Sequence, residues 1–173
     1  LDYTQGYQES QGFSPTFAKF AQGLVDRLIE VYGIRGKKVF EVGCGKGDFL
    51  AMLCRSGDNV GLGIDPGYRE GRLPDDVDAS VIQDFFTEPR PELSGDLICC
   101  RDTLEHIQAV GDFVGLIRRS AEQTERSVVF FEVPDTARIL NEGAFWDVYY
   151  EHCSYFTLGS LGRLFRRSGF RPL

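Results

Sequence analysis

The sequence predicts an α/β fold built on a parallel sheet, and three observations predict it. Short apolar runs rich in Val, Ile and Phe alternate with segments of helical spacing. Several of those runs stop at glycine, aspartate or proline, residues that turn a chain out of a sheet. Strands separated by helices pair in parallel, with the helices covering the faces. The chain has 173 residues, enough for about one domain with a sizeable core.

The elements follow in order. Residues 1–15 (LDYTQGYQESQGFSP) are polar and aromatic and read as an arm preceding a domain at 16–173. From 16 to 32, Phe17, Phe20, Ala21, Leu24, Leu28 and Val31 fall at helical spacing, and Gly33 ends the helix. KVFEV at 38–42 is a strand running into glycines, and DFLAMLC at 48–54 is helix. NVGLGI at 59–64 is a second strand, closed by Asp65 and Pro66. Residues 67–78 are turn-rich, 80–83 form a third strand and DLICC at 96–100 a fourth. An amphipathic helix at 113–124 precedes a fifth strand, SVVFFEV at 127–133, stopped by Pro134. LGSLGRLFRRS at 158–168 is a last helix. The pattern then breaks off without a polar tail, so the strands that would complete the sheet are expected beyond this chain.

Composition narrows the function classes. Nineteen basic against 26 acidic residues give a net charge of −7. An acidic chain lacks the electrostatic footprint for a nucleic-acid polymer or an anionic membrane surface. No apolar run reaches the ~18 residues of a membrane span, and no signal-peptide pattern opens the chain, so a cytoplasmic protein is expected. The five cysteines (Cys44, Cys54, Cys99, Cys100, Cys153) form no C-x-x-C pair. Reduced structural thiols are expected, with neither a disulfide framework nor a metal site.

The strongest chemical signal is Glu41-Val42-Gly43-Cys44-Gly45-Lys46-Gly47-Asp48, between the first strand and the next helix. Ligands of open α/β sheets bind at such carboxyl ends, and glycines let the backbone turn tightly and approach a ligand. The dinucleotide fingerprint G-x-G-x-x-G needs glycine where this chain has Asp48, which disfavours an NAD-linked oxidoreductase. No P-loop pattern is present. Asp65, closing the second strand, is placed to accept hydrogen bonds from both ribose hydroxyls. Asp84 follows the third strand and precedes Phe85, so a carboxylate and a ring are available to an adenine. Singly, each aspartate reads as a turn or cap residue; with the glycine loop they describe a nucleoside pocket. Arg101 closes the fourth strand toward the same pocket, where a guanidinium binds a carboxylate or phosphate, or else makes a surface ion pair.

E-V-G-C-G-K-G, then G-I-D, then Q-D-F resembles motifs I to III of the class I S-adenosylmethionine-dependent methyltransferases. The resemblance implies a Rossmann-like sheet with flanking helices and S-adenosylmethionine as cofactor, leaving as S-adenosylhomocysteine. Glu41, Gly43, Cys44, Gly45, Gly47, Asp65, Asp84, Phe85 and Arg101 are read as the cofactor site. Within it, the glycines surround the methionine part, Asp65 meets the ribose, and Asp84 with Phe85 lies near the adenine.

The chain holds two histidines, and each follows a glutamate: Glu105-His106 and Glu151-His152. Histidine is the side chain best suited to proton transfer near neutral pH. His106, in R-D-T-L-E-H-I after the fourth strand, reads as structural. His152 lies in an aromatic stretch after the fifth strand, with Tyr149 and Glu151, and those three read as catalytic. Tyr155 and Phe156 read as packed rings. F-E-V-P, the F-W-D-x-x-Y-E-H-x-x-Y-F run and a closing L-x-x-L-F-x-x-x-G-F resemble the sugar C-methyltransferases, which act on nucleotide-linked keto-sugars. The arm Tyr7-x-x-Ser10-x-x-x-Ser14-Pro15 is similar to the segment before their catalytic domain. Two departures stand out: neither their cysteine-rich zinc module nor their C-terminal nucleotide-holding domain lies within these 173 residues.

The resemblance implies C-methylation through an enolate of a small-molecule substrate, a nucleotide sugar in deoxysugar synthesis. His152 would be the base, Tyr149 the hydrogen-bond donor to the enolate oxygen, Glu151 an orienting group, and Tyr7 would close over the substrate. O- or N-methylation of another small metabolite, and a non-catalytic S-adenosylmethionine-binding domain, remain as alternatives.

Overall fold

The computed structural model describes residues 14–148 and 150–173. Five strands, β1 (Lys38–Val42), β2 (Val60–Ile64), β3 (Ala79–Ile82), β4 (Leu97–Arg101) and β5 (Val128–Glu132), form one sheet in the order β3-β2-β1-β4-β5. Every neighbouring pair is parallel, as the alternation of strands and helices predicts. All carboxyl ends therefore lie along one edge. The chain moves outward from β1 to β3, then returns to place β4 on the other side of β1. That reversal opens a crevice beside β1.

The helices are α1 (Pro15–Tyr32), α2 (Asp48–Gly57), α3 (Val110–Ala121), α4 (Thr136–Glu142) and α5 (Leu158–Arg167). The Ser14 side chain caps α1 from its N-terminal end and Gly33, at φ 69°, terminates it. Strand alternation assigns the two faces. Val39, Leu97 and Cys99 pack on α1 and α2 through Val25, Leu28, Ile29, Leu50 and Leu53. Phe40, Val42, Ile98 and Cys100 pack against Val114 and Ile117 of α3, joined by Leu164 and Phe165 of α5. Buried Asn59 ties the end of α2 to the loop between α1 and β1. Its amide donates to the Leu53 and Ile34 carbonyls at 2.8 and 3.1 Å, and its oxygen accepts from the Lys37 amide at 2.9 Å.

The structure departs from the sequence reading in the connection after β5. Seven residues there form α4, capped by Asp135 and ended by Gly143 in the left-handed region. Two turns of a seven-residue segment carry too little periodicity to stand out. The third helix also begins at Val110, earlier than 113, because its first turn precedes the apolar stripe that Phe113 opens. Cys44, Cys54, Cys99 and Cys100 are buried free thiols; Cys153 departs from that pattern and is exposed. Among the described residues, no helix is long and apolar enough to cross a membrane.

Candidate functional site

The loop from β1 to α2 carries three glycines in the left-handed region, at φ 71°, 55° and 82° for Gly43, Gly45 and Gly47. Each has a different neighbour. A Cβ on Gly43 would fall 2.1 Å from Thr103 Oγ1, so only glycine lets the β1 and β4 loops touch. A Cβ on Gly47 would meet Leu73 at 2.7 Å. A Cβ on Gly45 would meet nothing within 4 Å, so the loop's exposed backbone faces open space there. The Cys44 side chain turns inward against Gly63 of β2, leaving its main chain to face outward.

Asp65 braces this loop. One carboxylate oxygen accepts the Gly45 amide at 2.9 Å and the other accepts the Gly67 amide at 2.7 Å. Asp84 accepts the Phe85 amide at 2.7 Å. The two adjacent rings diverge: Phe86 packs in the core against Phe40 and Phe113, and Phe85 is 56% exposed. Glycine loop, Asp65 and Asp84 therefore stand in a row over β1, β2 and β3.

Glu41 and Arg101 lie on the α1/α2 face of the sheet, below that row. Arg101 Nε donates to Glu132, its register partner on β5, at 2.5 Å. Its guanidinium sits 4.1 Å from the centre of the Phe49 ring. The sequence reading has Arg101 facing the pocket; the ion pair and the ring engage much of its fork, and Nη2 is buried without a partner. Glu41 is buried, and its Oε2 is also without a partner. Burial pushes the Glu41 carboxyl up to about 8, against the pull of the nearby Arg101 charge. A zwitterionic amino-acid group, such as the methionine part of the cofactor, offers an ammonium to Glu41 and a carboxylate to Arg101. The residues present thus fit the group.

The two Glu-His dipeptides come together. His106 closes a 3₁₀ turn (Leu104–His106) after β4, and its Nδ1 lies 3.1 Å from the Glu151 carbonyl. Buried His152 has Nδ1 2.9 Å from the Asp147 carbonyl. A carbonyl only accepts, so each ring donates its Nδ1–H in this contact. The ring centres are 4.9 Å apart, nearly perpendicular. The Glu105 carbonyl accepts from the Cys153 and Ser154 amides at 2.7 and 3.1 Å, stitching the two segments. Its side chain is buried, Oε2 has no partner, and burial raises the carboxyl to about 8.

His106, read from sequence as structural, therefore stands beside His152, and Glu105 joins them although sequence reasoning did not single it out. The repeated Glu-His dipeptide is the signal that pointed here. Tyr155 is partly exposed, with its ring 5.9 Å from His152, whereas Phe156 is buried. Glu151 is half-buried. Tyr7 and Tyr149 lie outside the described residues.

A doubly flanked parallel sheet with a glycine loop after β1 and acidic residues after β2 and β3 defines a class I methyltransferase domain, with S-adenosylmethionine as cofactor. Residues 17–173 match the family described as a methyltransferase domain, and the chain belongs to that family. It is 30% identical over 155 residues to the C-methyltransferase NovU of Streptomyces niveus, covering 86% of this chain and 36% of that protein. It is 34% identical over 83 residues to the ubiquinone biosynthesis O-methyltransferase of Cronobacter sakazakii, covering 43% of this chain and 34% of that one. The chain thus spans about a third of the length of these curated relatives. Among solved structures, a methyltransferase from Geobacter sulfurreducens with bound S-adenosylhomocysteine superposes with a TM-score of 0.65. The identity is 18%, covering 97% of this chain and 68% of that one, a likeness of fold.

Proposed function

We propose that the protein methylates carbon on a nucleotide-linked keto-sugar, through an enolate formed by its own side chains. The observation that carries this reading is the meeting of Glu105-His106 with His152 at the sheet edge that also holds the glycine loop. Similarity to a C-methyltransferase over most of the chain supports it.

When bound, the cofactor supplies a methyl group already activated as a sulfonium. Gly43, Gly45, Gly47 and the Cys44 main chain would hold its methionine part, with Glu41 and Arg101 below. Asp65 would take the ribose, Asp84 and Phe85 the adenine. The remaining task is to make an acceptor carbon nucleophilic. A C–H beside a carbonyl is acidic enough for a side-chain base, and His152 Nε2 is the nitrogen that would take the proton. The Asp147 carbonyl holds that ring in the required tautomer. The Tyr149 hydroxyl would donate to the enolate oxygen, and Glu151 would orient the sugar. The apolar Phe145, Trp146 and Tyr150 are exposed on the same connection, where a substrate could cover them.

The test is solvent exchange. A nucleotide-linked keto-deoxysugar incubated with the protein in deuterium oxide should gain deuterium beside its carbonyl, read by mass spectrometry. His152→Ala should slow that exchange by roughly 10²-fold or more. A product carrying its new methyl group on oxygen, with no exchange, would overturn carbon chemistry. It would favour O-methylation, which the match to ubiquinone O-methyltransferases supports as the second reading.

A further inference from the structure

We propose that Glu105, His106 and His152 form a binding site for a divalent transition-metal ion of the zinc class. One donor atom from each residue lies within 4.8 Å of the other two. Donors around a tetrahedral zinc stand about 3.4 Å apart, given metal–ligand bonds of about 2.0–2.1 Å. Metal binding would draw the donors closer by up to about 1.4 Å. No spacing in the sequence announces it, because the donors come from loops after β4 and after β5.

Three features favour a metal over an accidental cluster. Both imidazoles give Nδ1–H to a main-chain carbonyl, Glu151 for His106 and Asp147 for His152. An outer contact of this kind fixes the tautomer and orientation of zinc-ligating histidines. Glu105 brings a buried carboxylate oxygen that has no partner. Two nitrogens and one oxygen select zinc, cobalt or nickel over magnesium or calcium, and they leave a fourth position open. Occupation would engage the His152 imidazole. On the reading of His152 as the base, the metal-loaded protein does not abstract the substrate proton, and a chelator restores it.

Cobalt(II) titration of the metal-free chain tests the site without relying on activity. One equivalent should bind, with visible d–d bands of low-coordinate cobalt and no thiolate charge-transfer band. Zinc should displace it and magnesium should not. Either His106→Gln or His152→Gln should weaken binding by more than about tenfold, while Cys153→Ser should leave it unchanged. Circular dichroism and S-adenosylhomocysteine binding check that each variant is folded. Absence of saturable binding in the wild-type chain overturns the site. So does binding that survives both histidine substitutions, or that disappears with Cys153. Solvent exchange in metal-free protein is read separately, so failure of the metal site and failure of His152 as base are distinguishable.

Discussion

Glu41 shows how one residue can be costly to the fold and useful to the site. It occupies a sheet position whose neighbour on the same face is fully buried Val39, and its Oε2 finds no partner. Burial raises its folded value from 4.5 to about 8. Between those values the folded state holds a proton that the unfolded chain has lost, so Glu41 makes stability fall as pH rises through that window. Glu41→Gln removes the titration. The wild-type curve of Tm against pH should therefore slope downward more steeply from pH 5 to 8 than that of the variant, as thermal unfolding would measure. The same substitution should weaken binding of S-adenosylhomocysteine, because a neutral amide is a poorer partner for an ammonium than a carboxylate. A variant that binds undiminished would remove Glu41 from the cofactor site. The Glu41 motif was legible in the sequence; its raised value was not, since only the fold shows that α1 and α2 bury it.

Between elements, the contact of the β1 loop with the β4 loop depends on Gly43 and Thr103. Gly43→Ala combines a left-handed backbone with a Cβ 2.1 Å from Thr103 Oγ1, which itself donates to the Arg101 carbonyl at 2.9 Å. Gly45→Ala carries similar backbone strain but projects into open space. Strain alone costs about 1–2 kcal/mol, so Gly45→Ala should remain folded and lose cofactor affinity where its methyl fills the loop's open side. Gly43→Ala should lose more stability than Gly45→Ala in denaturant titration; equal losses would show that the Thr103 contact yields without cost. The sequence announced the glycines through their spacing after a strand. It could not announce Thr103, whose importance comes from a neighbouring strand. Asp135 and Gly143 are cap signals that frame α4, yet seven residues between them gave no stripe to read. The five strands were legible because each is a run of apolar residues cut off by turn-forming ones.

At the scale of the whole molecule, the reversal of strand order between β1 and β4 divides the carboxyl edge into two halves. Loops after β1, β2 and β3 bring the glycines, Asp65 and Asp84. Loops after β4 and β5 bring Glu105, His106 and His152. On the proposed function one half would hold the cofactor and the other would move a proton, and Gly43 against Thr103 joins them. This division predicts that damage separates cleanly. S-adenosylhomocysteine at about 100 times its Kd should stabilise the wild-type chain by about 2.7 kcal/mol. For a domain of this size that is a Tm rise of roughly 5–10 °C. His152→Gln should keep that rise and lose proton exchange, because it belongs to the connection after β5 and not to the loops after β1, β2 and β3. Asp65→Ala should lose most of the rise, since the carboxylate bracing Gly45 is gone as well as the proposed ribose contact. If His152→Gln abolished the ligand-induced rise while remaining folded, the two halves would be one binding site. The base assignment would then give way to a role for His152 in holding the cofactor.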